Sequence, residues 1–317
     1  MNRNRGSLLL FTVLILTGSI QSCGNVEEKK TPSVPKVDPV ANISSQSGFV
    51  SNITYRKVDG YELELDVIVP RIHLGEGPYW SKLDRKLKPT LLYIHGGGWV
   101  EGEKETRMLG LLPFVSRGWV VVNINYRLAG DGKAPAALED CREALNWVYE
   151  SAAGFQIDTT RIVVAGESAG GHLSLMTGLV NKGDSICGEA YIVERHRSVA
   201  AIINYYGVTD IRTEKYEDHT WFEGIDNIEE ALYSLSPITH LSKLSPPIIS
   251  VHGDADPVVP VDHAKNLHKK LDELGAKNRM VIIPGKKHGN FTGEERTYIF
   301  EQIWDFLEKA GISTTVE

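Results

Sequence analysis

Short runs of uninterrupted apolar residues, separated by segments of helical period, constrain this chain more than any other feature. Thr90–His95, Trp119–Asn125 and Arg161–Gly166 are such runs, and Val199–Asn204, Pro247–Gly253 and Met280–Ile283 repeat the pattern towards the C-terminus. A strand wet on one face alternates apolar and polar residues, whereas a continuous run belongs to a strand covered on both faces. Between the runs, Ala134–Tyr149 carries a helical stripe through Leu138, Cys141, Leu145 and Val148. Asp262–Leu274 and Glu294–Lys309 read as further helices, the former capped by Asp262 and ended by Gly275. This alternation predicts a mostly parallel twisted sheet of about eight strands with helices on both faces. Two earlier strands differ. Ile53–Val58 is one; in the other, Leu63, Leu65, Val67 and Val69 alternate with Glu62, Glu64 and Asp66. These two predict an antiparallel hairpin around Asp59-Gly60, followed by a polar surface loop over residues 71–88.

The 317 residues carry a net charge of 34 − 41 = −7, which leaves no basic footprint for nucleic acid. Three cysteines cannot staple a disulfide scaffold. Residues 1–23 read as an address: Arg3 and Arg5 precede an apolar stretch, Leu8–Ile20, that is short of a full membrane span. Ile20-Gln21-Ser22-Cys23-Gly24 resembles the bacterial lipoprotein cleavage box, in which the cysteine is acylated and becomes the new N-terminus. A plain secretory signal is the alternative. Residues 24–47, with Pro32, Pro35 and Pro39, have little to bury and read as a tether. A single domain, 48–317, follows, with a small insertion near 211–244. The expected location is outside the cytoplasm, anchored by lipid on Cys23 to a bacterial membrane (periplasm or cell surface), or else secreted.

Four segments carry chemistry. Gly166-Glu167-Ser168-Ala169-Gly170-Gly171 sits between the strand Arg161–Ala165 and a helix opening at His172–Met176. Strand, sharp turn and helix form the setting that exposes a serine hydroxyl at a sheet edge, with small residues needed where strand and helix nearly touch. His95-Gly96-Gly97-Gly98-Trp99 follows another buried strand, and bare backbone N–H groups of its three consecutive glycines, with that of Ala169, can meet a developing oxyanion. No phosphate-loop or dinucleotide pattern accompanies these glycines. His95 reads as structural.

A serine needs a base oriented by an acid. His288 lies in the loop after Met280–Ile283, at the strand end that faces Ser168. His252 reads as a support for its turn, and His263 and His268, five apart on a helix, as solvated. For the acid, Asp254 and Asp256 both follow Ile248–Val251; Asp256, beside Pro257, reaches further towards His288 and is favoured. A histidine base implies activity that rises with pH near about 6–7.

The set HGGGW, NYRLA (Asn125–Ala129), GESAGG, HGDADPVVP and KKHGN resembles α/β-hydrolases of the esterase/lipase superfamily over nearly all of residues 50–310, with the acetyl-ester and feruloyl-ester hydrolases as the closest branch. Hormone-sensitive-lipase-like relatives usually carry the acid in D-P-L-x-D, which this chain replaces by D-A-D-P-V-V-P. The resemblance implies Ser168 as nucleophile, Asp256 as acid, His288 as base, and Gly97, Gly98 and Ala169 as oxyanion donors. It implies no metal or organic cofactor, and a small ester or polysaccharide-ester substrate. Two rivals stay open: a prolyl-oligopeptidase-like exopeptidase using Glu229-Glu230 to grip an amino terminus, and a retired hydrolase that only binds. Tyr216, Trp221, Phe222 and Tyr233 in the insertion either offer stacking surfaces as a lid or pack against the body. Trp99 either lines an acyl pocket or anchors the glycine loop. Cys141 reads as core, with a Cys141–Cys187 bridge as the less favoured alternative.

Overall fold

The computed structural model describes residues 47–70, 86–213 and 216–312. The signal segment, Cys23, the tether up to residue 46 and most of the loop over 71–88 lie outside these. The strands are β1 (Ser47–Val58), β2 (Tyr61–Pro70), β3 (Lys88–Ile94), β4 (Val120–Ile124), β5 (Ile157–Glu167), β6 (Ser185–Ile186), β7 (Tyr191–Ile192), β8 (Ala201–Tyr205), β9 (Ile248–Gly253) and β10 (Asn278–Ile283). The helices are α1 (Leu112–Ser116), α2 (Ala136–Glu150), α3 (Ala152–Phe155), α4 (Ala169–Leu179), α5 (Ile228–Ser234), α6 (Asp262–Leu274) and α7 (Gly293–Lys309).

Eight strands make one sheet in the order β1-β2-β4-β3-β5-β8-β9-β10, and β6 and β7 form a separate small pair. The lead-in hairpin is antiparallel, as is its join to β4; every other pair within the eight-stranded sheet is parallel. This is the mostly parallel sheet the apolar runs predicted, in the α/β-hydrolase arrangement that the resemblance implied. β1 starts earlier than expected, at Ser47 opposite Pro70, because a bulge between Val50 and Ile53 breaks the alternation that marks a strand.

The unbroken runs are explained by two cores. Leu92, Ile94, Val122, Val164 and Ile202 point into one, with Leu138, Leu173 and Leu267 from α2, α4 and α6. Their neighbours Leu91, Tyr93, Val121, Val163 and Ile203 point into the other, with Phe114 of α1 and Ile303 and Leu307 of α7. Each fully buried aliphatic side chain contributes about 1.5–3 kcal/mol. α4 is buried along its whole length, which explains why it shows no amphipathic stripe.

The face of α6 departs from expectation. His263 and His268 are buried with Ala264, Leu267 and Leu271. The Thr209 N–H donates to His263 Nδ1 at 3.3 Å, and His268 Nδ1 meets Asn278 Oδ1 at 2.7 Å. The two histidines are therefore part of the inward stripe, not solvated. Asp262 stands in the first turn and Val261 holds the cap position without a side-chain bond; Gly275, at φ 68°, closes the helix as anticipated.

Candidate active site

The parallel strands end at one edge. Ile94 pairs with Gly166, Glu167 with Tyr205, Tyr205 with Val251, and Gly253 with Ile283, so the segments after β3, β5, β9 and β10 meet there. β1 begins at the other edge.

The turn after β5 is sharp. Ser168 has φ 53° and ψ −120°, outside the ordinary regions for a side chain-bearing residue. A Cβ on Gly166 would stand 2.2 Å from Gly170 O, and one on Gly170 would stand 2.2 Å from Ile94 O. Strand and helix touch as the motif requires. His288 Nε2 lies 2.9 Å from Ser168 Oγ, and His288 Nδ1 lies 2.7 Å from Asp256 Oδ2. The Asp256 side chain is fully buried. Its Oδ1 accepts N–H bonds from Val258 at 2.8 Å and Val259 at 3.0 Å. Asp256 can thus hold the His288 proton on Nδ1 and leave Nε2 to accept from the serine hydroxyl.

The neighbouring candidates fall into supporting places. Asp254 Oδ1 accepts from Gly285 N–H at 2.6 Å and ties the β9 turn to the loop that carries His288. Buried His252 donates from Nε2 to Val259 O at 2.8 Å, with Asp256 Oδ2 at 3.4 Å. Its own burial holds it below the usual imidazole range.

The glycine loop lies against the elbow. A Cβ on Gly96 would come within 3.4 Å of Ser168 Cβ. Gly97 and Gly98 take φ 119° and 59°. Gly97 admits no side chain, because a Cβ there would fall 1.9 Å from Glu101 O. Among the described residues, the N–H groups of Gly97, Gly98 and Ala169 make no hydrogen bond within the protein. His95 is buried, with Nδ1 2.7 Å from Gly96 O and its ring stacked on Tyr126 at 4.3 Å.

The NYRLA segment anchors this loop. Asn125 Oδ1 accepts from Lys104 N–H at 2.7 Å, and Ala129 N–H donates to Trp99 O at 2.7 Å. Arg127 is fixed to buried Asp140, Nε to Oδ2 at 2.8 Å.

Trp99 anchors as well. It is buried and stacked on Trp221 at 4.8 Å, and its Nε1–H donates to His172 Nδ1 at 3.3 Å. Trp221 and Phe222 are also buried, so most of the insertion's aromatic surface packs on the body. Tyr233 alone of that set is largely exposed, under the Arg212 guanidinium. Glu229 and Glu230 stand exposed in the first turn of α5, where Asn227 hydrogen-bonds Glu230. Both carboxylates are thus solvated. Cys141 and Cys187 are free thiols.

Because Trp99 is a donor, His172 Nδ1 must accept, and the ring proton sits on Nε2, 2.7 Å from Leu235 O. Burial lowers this histidine to about 4. An unfolded imidazole takes its proton near about 6.5. Between those values the unfolded chain binds more protons, so stability is lost as pH falls from about 6.5 towards 4 and is unaffected by this group above that window. At about 1.4 kcal/mol per pH unit, the whole window is worth on the order of 3 kcal/mol. Burial lowers His95, His252 and His268 in the same direction. We expect the urea midpoint to drop between pH 7 and pH 5, and the drop to shrink in His172→Asn. An unchanged drop in that variant would remove His172 from the account.

One network was not legible in the sequence. Glu167 accepts from Arg107 Nε at 2.7 Å and from the Tyr206 hydroxyl at 2.6 Å. The Tyr206 ring meets the His288 ring edge-on at 4.7 Å. A Cβ on Gly289 would stand 2.6 Å from the Tyr206 hydroxyl, so the loop carrying His288 rests on this tyrosine.

A serine on a strained elbow, hydrogen-bonded to a histidine that is in turn held by a buried aspartate, defines the α/β-hydrolase class on this fold. Residues 79–271 match the BD-FAE family, and the chain belongs to it. Esterase LipC of Mycobacterium tuberculosis (strain ATCC 25618 / H37Rv) is 29% identical over 239 residues, which cover 69% of this chain and 59% of LipC. The chain thus spans less than two thirds of that relative. A truncated carbohydrate esterase from gut microbiota superposes with a TM-score of 0.69 at 23% identity, covering 84% of this chain and 97% of that one. Esterase Est2 of Thermogutta terrifontis with butyrate bound superposes with a TM-score of 0.67 at 25% identity, covering 84% and 96%.

Proposed function

We propose that this chain is a serine carboxylic ester hydrolase acting by acyl transfer on short acyl or aryl esters, with acetyl or feruloyl decorations of polysaccharides as the favoured natural substrates. The observation that carries the reading is the 2.9 Å contact between His288 Nε2 and Ser168 Oγ. Ser168 Oγ attacks the ester carbonyl carbon while its proton passes to His288 Nε2. The carbonyl oxygen becomes an oxyanion beside the unpaired N–H groups of Gly97, Gly98 and Ala169. Collapse breaks the ester C–O bond, and His288 protonates the departing alcohol. Water then gives a proton to His288 as it attacks the acyl-serine; collapse breaks the acyl–Oγ bond, His288 returns the proton to Ser168 Oγ, and the acid leaves. Asp256 stabilises the imidazolium in both steps.

Two lines support the substrate range: membership of the BD-FAE family, and the butyrate in the Thermogutta esterase that shares the fold. Hydrolysis of 4-nitrophenyl acetate by the parent and not by Ser168→Ala tests the reaction, with acetylated xylan and methyl ferulate next. Absence of turnover on all three would remove the reading.

We also propose that a lipid on Cys23 tethers the enzyme outside the cytoplasm. Among the described residues no helix is long and apolar enough to cross a membrane. Cys23→Ser is expected to move the enzyme from the membrane fraction to the soluble fraction. Retention of the variant in the membrane would refute the lipid.

A further inference from the structure

Tyr206 stands where the strands that carry the triad converge. It follows β8, and its N–H donates at 2.8 Å to Val251 O of β9, the strand that leads to Asp256. The carbonyl just before it, Tyr205 O, accepts the Ser168 N–H at 2.9 Å. Its own backbone lies in the left-handed region, at φ 41°. A bulky residue is strained there and persists only where its surroundings enforce the conformation.

The far end of the side chain is held as well. The hydroxyl donates to Glu167 Oε2 at 2.6 Å, and Arg107 Nε donates to Glu167 Oε1 at 2.7 Å. Burial and the Glu167 carboxylate push this phenol well above its usual range, so it stays a donor. Arg107, Glu167, Tyr206 and Gly289 border a cavity of about 390 Å³, so on that side hydrogen bonds rather than close packing hold the ring. The ring meets His288 at 4.7 Å, with the two planes 66° apart. Asp256 and Ser168 hold His288 at its two nitrogens. An imidazole held at those two points can still rock about the line joining them, which would turn the Nε2 lone pair off the serine. A contact on its flank stops that motion.

Resting on the ester-hydrolase reading above, we infer that Tyr206 is a positioning residue: braced by Glu167 and Arg107, it fixes the tilt of the His288 ring and keeps Nε2 aimed at the Ser168 hydroxyl. It acts through His288 and exchanges no proton itself.

Tyr206→Phe keeps the ring and removes the hydroxyl; Tyr206→Leu removes the flank contact too. With 4-nitrophenyl acetate, kcat is expected to fall about fivefold in Tyr206→Phe, the worth of one ordinary hydrogen bond. In Tyr206→Leu it should fall about a hundredfold, as a misplacement of about 1 Å does, with KM within about twofold in both variants. Glu167→Gln should lose about fivefold as well, because its amide oxygen can replace only one of the two carboxylate oxygens. Combined with Tyr206→Phe it should cost no more than about twofold further, since both substitutions break one brace. Crystal structures of the parent and Tyr206→Leu give a readout without substrate. The parent should show the 2.9 Å contact of His288 Nε2 with Ser168 Oγ, and the variant a turned ring that has lost it. Tyr206→Phe, which lacks a single atom, decides the case if Tyr206→Leu does not fold. No loss of kcat in Tyr206→Phe, or fully additive losses in the double variant, would overturn the brace and the inference with it. A higher KM at unchanged kcat would put Tyr206 on the substrate, and a lower kcat with His288 unmoved would route the loss elsewhere; either result overturns the inference. If the parent turns over no ester, the ester-hydrolase reading fails, and Tyr206 is then judged by the position of His288 alone.

Discussion

Ser168→Ala is expected to lower the turnover number about a million-fold, with folding intact. The size follows from what the substitution removes. Without Oγ there is no acyl-enzyme, and the 2.9 Å partner of His288 Nε2 is gone. The free donors of the glycine loop and the bound geometry persist, so a residual advantage over water of about 10³–10⁴ remains. Alanine keeps the Cβ, and the elbow's φ of 53° is no harder for it than for serine. Thermal unfolding of the variant should therefore match the parent. Any residual rate above about one per cent would mean that another nucleophile does the work.

Sheet architecture was legible because β3, β4, β5, β8 and β9 are covered on both faces, and continuous burial leaves continuous apolar runs. The triad was legible because each member follows a strand whose end must lie at the same edge. What escaped depends on contacts between segments distant in sequence. Trp99 anchors only because Trp221 stacks on it, and no local pattern announces that pairing. His263 and His268 run against the expectation of solvated side chains because polarity is not exposure: Thr209 bonds His263, and Asn278 bonds Nδ1 of His268, on the inward face. NYRLA was recognisable as a motif, but its purpose became physical only through Lys104, Trp99 and Asp140. The Arg107–Glu167–Tyr206 network left no local trace, since Glu167 reads as a mere spacer within the elbow.

Asp256→Asn should cost about 10⁴ in turnover, second only to loss of the nucleophile. The amide oxygen can replace Oδ1 and keep the Val258 and Val259 N–H bonds at 2.8 and 3.0 Å, so the loop should hold its shape. The amide nitrogen then takes the place of Oδ2, facing His288 Nδ1 at 2.7 Å and His252 Nε2 at 3.4 Å. Two N–H donors cannot both point at each other, so His288 must give up its Nδ1 proton to accept from the amide. The proton moves to Nε2, where the ring can no longer take one from Ser168. Geometry survives while the tautomer is wrong, so the loss should fall on kcat with KM close to the parent's. Asp254→Asn is the matching control. Among the described residues the Asp254 side chain accepts only the Gly285 N–H, at 2.6 Å, a bond that an amide oxygen can also accept, and turnover should stay within about threefold. If the two variants lost activity equally, the loop and not the charge would carry the effect. If Asp254→Asn alone lost activity, the acid would have to be reassigned to the aspartate nearer the strand.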